Sequence, residues 1–154
     1  MIKILNIVYP IIQAPMAGGF TTPEAKLLSL GAVAVQMGTA FLTCTESGTH
    51  PAFKKLLLST KQDETVLTRA FSGAYARGIK NKFTERMESK KENILDYPIQ
   101  NVLTNQMRKI AKAESNTDFM SLWAGQAAQY CRDLSAVDLI RSLIFNMNDS
   151  NNER

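Results

Sequence analysis

Few residues in this chain have types and spacing that could do chemistry. One group is Gln36-Met37-Gly38-Thr39, where an apolar run ends in a glycine and a hydroxyl. Glycine lets the backbone approach a ligand closely and a threonine O–H can donate, so these atoms could meet an anion. Read from the residues alone, a single glycine after an apolar strand is more often simply a strand end. A second group is Pro15-Met16-Ala17, a proline-fixed turn followed by small side chains that leaves backbone groups accessible. Taken alone it too reads as a strand-ending turn. The sole histidine, His50, stands in Ser47-Gly-Thr-His-Pro51 and is expected near the cap of a helix that begins at Pro51, without a catalytic role. No catalytic residue is assigned. Cys44 and Cys131 are far apart with no CxxC, so reduced thiols are expected. Two isolated cysteines and one histidine cannot supply the three or four ligands of a zinc site, so no metal site is expected.

The elements that must position these groups follow from the hydrophobic pattern. Tyr9 to Pro15 is a short apolar run bounded by prolines, which suits a brief buried strand over Pro10–Ala14. Thr21-Thr22-Pro23-Glu24 is a helix-start signal, with Glu24 able to close a capping box on Thr21, and Gly31 can end that helix after Leu30. Ala32 to Met37 is apolar on both faces until Gln36, as a parallel strand covered by helices would be. Strand, helix and strand in this order make a βαβ unit, so the fold class is α/β. Pro51 opens a short helix to about Leu58, and Thr65 to Ala70 reads as a strand. The remainder reads as mainly helical. Ile99, Val102, Leu103, Met107 and Ile110 recur at helix spacing, as do Met120, Trp123, Ala127 and Tyr130. Ser135 caps a last helix with Val137, Ile140, Ile144 and Met147 on one face. Asn148 to Arg154 reads as a flexible polar tail.

With 154 residues, 45% hydrophobic and 21% charged, the chain is in the range of one ordinary domain. No apolar run approaches the ~20 residues that span a bilayer, and Met1 to Tyr9 has no cleavage-site pattern, so a cytoplasmic protein without membrane contact is expected. The net charge of +4 is concentrated in Arg77 to Glu92, where Glu85, Glu88 and Glu92 interrupt the cations. That stretch reads as a solvated helix and loop, and no nucleic-acid partner is expected.

Three stretches together resemble the nitronate monooxygenase family, also known as 2-nitropropane dioxygenases. They are Pro10-Ile-Ile-Gln-Ala-Pro-Met-Ala-Gly-Gly19, Gly31-Ala-Val-Ala-Val-Gln-Met-Gly-Thr-Ala-Phe-Leu-Thr-Cys44, and Thr68-Arg-Ala-Phe-Ser-Gly73 with Tyr75-Ala-Arg-Gly78. Asn101 to Gln126, with Ser121-Leu-Trp-Ala-Gly125, resembles the family's C-terminal part. The resemblance implies a (β/α)8 barrel with an added helical segment, FMN as cofactor, and alkyl nitronates and oxygen as small-molecule partners. The first stretch resembles barrel strand one and the second strand eight. Residues up to about Glu24 look like the start of the barrel and those from about Ala25 like the approach to its last strand. A full barrel takes ~250 residues, so the middle is missing.

On this resemblance Gln36, Met37, Gly38 and Thr39 are cofactor-binding residues at the FMN phosphate, where barrel enzymes bind anions on free N–H groups after a late strand. Pro15, Met16 and Ala17 resemble the segment that lines the flavin ring. The family's catalytic histidine sits in a Gly-Gly-His type motif in mid-barrel, which has no counterpart here, and arginine is common in the family where Ala74 stands. The expected fold is therefore an incomplete barrel remnant over residues 1–44, a mainly helical segment over 45–147 and a tail over 148–154. The expected function is that of an FMN-dependent nitronate monooxygenase with impaired turnover. The alternative is a non-catalytic remnant or helical interaction module, open to self-association through exposed strand edges. The two strands are expected to be parallel, with a right-handed crossover between them.

Overall fold

The computed structural model describes residues 11–13 and 35–152. β1 (Ile11–Gln13) and β2 (Val35–Met37) pair in parallel, with Ile11 opposite Val35 and Gln13 opposite Met37. The sequence pattern predicts this pairing. The helix expected between the strands, Thr21 to Leu30, and the hand of the crossover lie outside the described residues. After β2 comes one short turn of helix, α1 (Thr39–Leu42), and then α2 (Pro51–Ser59). Proline suits the first turn of α2 because its missing N–H would have no helical partner. His50 caps the helix, its Nδ1 accepting from the Ala52 N–H at 3.2 Å.

β3 (Thr65–Thr68) and β4 (Ala76–Ile79) form an antiparallel pair, Thr65 opposite Ile79 and Thr68 opposite Ala76. This corrects two expectations: the first strand stops at Thr68 rather than Ala70, and the chain then returns as a strand rather than a helix. The strand ends because the Thr68 hydroxyl accepts from the Ala70 N–H at 3.0 Å and turns the backbone. Gly73 then adopts φ 84°, a left-handed conformation costly for other residues. The other edge of β4 takes an extended segment. Ile79 N–H donates to Leu122 O at 2.8 Å, Ala124 N–H donates to Arg77 O at 3.1 Å, and Gly78 bridges to Trp123. The helical spacing of Met120, Trp123, Ala127 and Tyr130 is thus not realised as one helix. Residues up to Ala124 lie along β4, and only a short 3₁₀ helix, Gln126–Tyr130, follows. A Cβ on Gly78 would sit 2.7 Å from Leu122 O, so glycine is needed for this approach.

α3 (Lys82–Glu88) opens on a reciprocal capping box between Asn81 and Thr84. The buried Asn81 amide also donates to Thr117 O and Met120 O, both at 2.9 Å. Most of the charged side chains of α3 are exposed, as the solvated-helix reading has it.

α4 (Ile99–Ala113) is the long helix the spacing predicts, but it is turned the other way. Its buried residues are Gln100, Thr104 and Ala111, whereas Ile99, Val102, Leu103 and Ile110 are 49–68% exposed. The cause is the turn after β3. Ala70 O and Phe71 O are left without strand partners and accept from Gln100 Nε2 at 2.7 Å and from the Thr104 hydroxyl at 2.5 Å. A buried carbonyl without a donor costs about 1–3 kcal/mol, enough to turn a polar face inward.

α5 (Ala136–Asn152) is capped as the sequence indicates, Ser135 Oγ accepting from Asp138 N–H at 3.0 Å, and it extends beyond Asn148. Its packed face is Ala136, Leu139 and Leu143. Val137, expected on the packed face, is instead half exposed, while Ile140 and Ile144 are partly buried. The larger core gathers Leu42, Phe53, Leu57, Ile79, Met120 and Leu122, and a smaller one joins Met37 and Cys44 to Leu139. Among the described residues no helix is long and apolar enough to cross a membrane.

The turn around Gly73 yields the first prediction. A Cβ there would meet Leu95 O and Tyr97 N at 2.5 Å, and the left-handed conformation alone costs an L-residue about 1–2 kcal/mol. Gly73→Ala is expected to lower the urea midpoint by an amount equivalent to about 2 kcal/mol or more. An unchanged midpoint would show that the turn is free to adopt another conformation.

Candidate functional site

The site is built from the C-terminal end of β2. Strand alternation leaves Gln36 exposed and Met37 fully buried against Cys44 and Leu139. Gly38 follows, caps α1 without a side-chain hydrogen bond, and brings Thr39 into the core at 6% exposure. The Thr39 hydroxyl accepts from the Gly125 N–H at 2.9 Å, which leaves its own proton to donate. Because β1 and β2 are parallel and Gln13 lies opposite Met37, the C-terminal ends of the two strands are side by side. Gln36, Met37, Gly38 and Thr39 are thus placed as one contiguous strand-to-helix turn. Pro15, Met16 and Ala17 lie outside the described residues.

The chain beyond α1 is fastened to a distant segment. The Thr43 hydroxyl donates to Arg132 O at 2.8 Å, and Thr45 N–H donates to Leu134 O at 3.1 Å. The Glu46 carboxylate accepts from Ala136 N–H at 3.0 and 3.2 Å, the first N–H of α5. Those bonds, with one from the Thr45 hydroxyl, hold the Glu46 carboxyl below its ordinary value. Burial, helped by the Glu46 charge, pushes the Cys44 thiol up, so it is a packed thiol rather than a nucleophile. Among the described residues Cys44 and Cys131 are not joined in a disulfide, and the Cys131 thiol donates to Thr39 O at 3.5 Å.

Beside this turn lies a cleft of ≈ 760 Å³, within the size range of small-molecule sites. Gly38 and Phe41 stand at one end, Phe53, Leu122 and Trp123 give it an apolar lining, and the loop Ser47 to His50 borders it. Four residues of α4 complete it: Asn105, Arg108, Lys109 and Lys112. Their spacing of i, i+3, i+4 and i+7 puts them on one helix face. Sequence reading missed this group because it followed only the apolar stripe of the same helix. The signal was present in the spacing of the three cations.

Together these features define an α/β protein in which a parallel strand ends in a glycine–hydroxyl turn, backed by a helical segment that hydrogen-bonds to it. The nitronate monooxygenase family profile matches residues 25–146, and the chain belongs to that family. The probable nitronate monooxygenase of Staphylococcus saprophyticus is 40% identical over 140 residues, covering 90% of this chain and 39% of that protein. The probable nitronate monooxygenase of Bacillus subtilis is 45% identical over 117 residues, covering 75% of this chain and 34% of its own length. The chain therefore spans about two fifths or less of these relatives. Among solved structures, nitroalkane oxidase from Streptomyces ansochromogenes superposes with a TM-score of 0.77 at 33% identity, over 96% of this chain and 42% of that one. FabK from Thermotoga maritima superposes with a TM-score of 0.68 at 22% identity, over 93% of this chain and 55% of that one, a likeness of fold.

The tie between Thr39 and Gly125 gives the second prediction. Thr39→Val keeps the shape of the side chain but leaves the buried Gly125 N–H without an acceptor, at a cost of about 1–3 kcal/mol. Thr39→Ser keeps the acceptor and loses only a methyl. Urea unfolding is expected to find the valine variant the less stable of the two, and the reverse order would show that methyl packing rather than the hydrogen bond holds the turn.

Proposed function

We propose that this chain is an FMN-dependent nitronate monooxygenase by descent, of the class that oxidises alkyl nitronates with oxygen, whose turnover is impaired. In this reading β1 is barrel strand one, β2 is barrel strand eight, and the (β/α)8 barrel between them is incomplete. The supporting observation is the placement of Gln36–Thr39 at a strand end directly beside the end of β1, in a chain of this family. The donor set there suits a phosphate: Gly38 puts no side chain in the way, the first turn of α1 carries no side-chain cap, and Thr39 retains a proton. Gln36, Met37, Gly38 and Thr39 would hold the phosphate, and Pro15, Met16 and Ala17 would line the ring. Bound FMN would supply the electron transfer between substrate and oxygen, while the protein's part is to orient them and provide a base.

That base is what the chain lacks. The one histidine, His50, is the cap of α2, its Nδ1 committed to the Ala52 N–H. Oxygen uptake with propyl-2-nitronate and added FMN is therefore expected to stay at the free-flavin background, and His50→Ala to change nothing. FMN is expected to bind more weakly than about 1 μM and to be lost on gel filtration. A yellow preparation that retains one flavin per chain, or turnover abolished by His50→Ala, would overturn this reading.

A second reading has its own observation. Ile99, Leu103, Gln106, Ile110 and Ala113 on α4 are spaced 4-3-4-3, the seam one helix offers another, and the large apolar members lie exposed. As a non-catalytic helical module, the chain would pair α4 with α4 of a second copy, antiparallel about Gln106. The two Gln106 amides then sit opposite each other, and an amide can both donate to and accept from its twin, which would fix the register. Sedimentation equilibrium is expected to show a concentration-dependent dimer that Leu103→Glu abolishes. A monomer at all concentrations, or a dimer indifferent to Leu103→Glu, would remove this reading.

A further inference from the structure

The basic face of α4 in the cleft is used by neither reading. Arg108 is held in place by its own helix. Its Nε donates to Thr104 Oγ1 at 3.2 Å, and its Nη2 donates to Asn101 O and Asn101 Oδ1, both at 2.8 Å. That leaves Nη1 with no acceptor among the described residues. Lys109 and Lys112 project on the same face and, among the described residues, none of the three cations is paired with a carboxylate. Glu46 also lines the cleft, but its oxygens are turned to Ala136 N–H and the Thr45 hydroxyl. Like charges brought together along one wall of a cleft repel, and an anion between them relieves this. Burial pushes the Arg108 guanidinium down from its ordinary value, as expected of a cation partly withdrawn from water without a counter-ion.

The rest of the cleft restricts which anion fits. Phe41, Leu42, Phe53, Leu122 and Trp123 give it apolar lining, which a bare inorganic ion cannot use. A ligand that satisfies both parts has an apolar body and a charged end. With Nε and Nη2 committed to Thr104 and Asn101, the guanidinium is pre-set and offers the Nη1 hydrogens to an anionic oxygen. We propose that this cleft binds a small organic anion with an apolar body and one charged end. Arg108 Nη1 donates to the charged end, Lys109 and Lys112 supply the field, and the aromatic lining takes the body. The inference rests on α4 and the cleft, and holds whether or not Gln36–Thr39 meets a phosphate.

The chain has one tryptophan, Trp123, and it lines the cleft, so its emission reports occupancy. The full chain is titrated with benzoate, propyl-2-nitronate and acetate, without FMN. Saturable change with benzoate or the nitronate at about 1 mM or below, and acetate at least roughly tenfold weaker, is expected. Binding of either supports the site. The exposed pair Lys109→Gln/Lys112→Gln is expected to weaken binding several-fold without altering the circular dichroism spectrum. Arg108→Lys, which keeps the charge but loses the donor held in place by Thr104 and Asn101, is expected to weaken it more. Two results would overturn the proposal: no saturable change with either anion, or affinities unchanged in the double lysine variant and in Arg108→Lys. Because the readout is Trp123 without flavin, failure here leaves the FMN reading untouched, and weak flavin binding leaves this one untouched.

Discussion

The hydrogen bond from Gly125 N–H to Thr39 Oγ1 joins residues 86 positions apart and sets the register between the strand end and the helical segment. It is buried, so neither partner could turn to water instead, and leaving one unpaired would cost about 1–3 kcal/mol. From it runs a short series of similar ties: Thr43 to Arg132, Thr45 to Leu134 and Glu46 to Ala136. Each joins a polar group on the chain after β2 to the segment that leads into α5 or to the first N–H of that helix. The smaller core of Met37, Cys44 and Leu139 lies under these ties, and the cleft opens beside them. Loss of the first would loosen both.

The same accounting of polar atoms explains α4. A helix with a coherent apolar stripe would ordinarily turn it inward. Here the carbonyls of Ala70 and Phe71 leave the hairpin without strand partners, and Gln100 and Thr104 are the donors that reach them. The helix is thereby rotated so that one face serves the hairpin, a second carries Arg108, Lys109 and Lys112 into the cleft, and the apolar stripe faces outward. Three faces of one helix are thus given to stability, to charge and to an unmatched surface.

Much of this was legible in the residues, for identifiable reasons. Apolar runs bounded by prolines and glycines marked both parallel strands, and Pro51 and Ser135 marked two helix starts. These are local signals, complete within a few residues. β4 was not legible, because Ala76-Arg77-Gly78-Ile79 has no alternation. It is a strand only because Thr65–Thr68 and the segment around Trp123 supply partners on both sides. The orientation of α4 was hidden for a similar reason, since it answers to carbonyls about thirty residues away. In the candidate site, Gln36–Thr39 is one turn beside β1, and nothing in the residues announced that the Thr39 hydroxyl would already be held by Gly125.

The central claim is that a phosphate-holding turn persists at the end of β2 although the barrel around it is incomplete. Amide chemical shifts of the ¹⁵N-labelled chain, followed during parallel titrations with FMN and with riboflavin, test it most directly because the two ligands differ only in the phosphate. The account predicts saturable shifts of the Gly38, Thr39 and Gly125 amides with FMN at millimolar concentrations and none at those amides with riboflavin. Identical shifts with both ligands, or none at Gly38 and Thr39 with either, would contradict it.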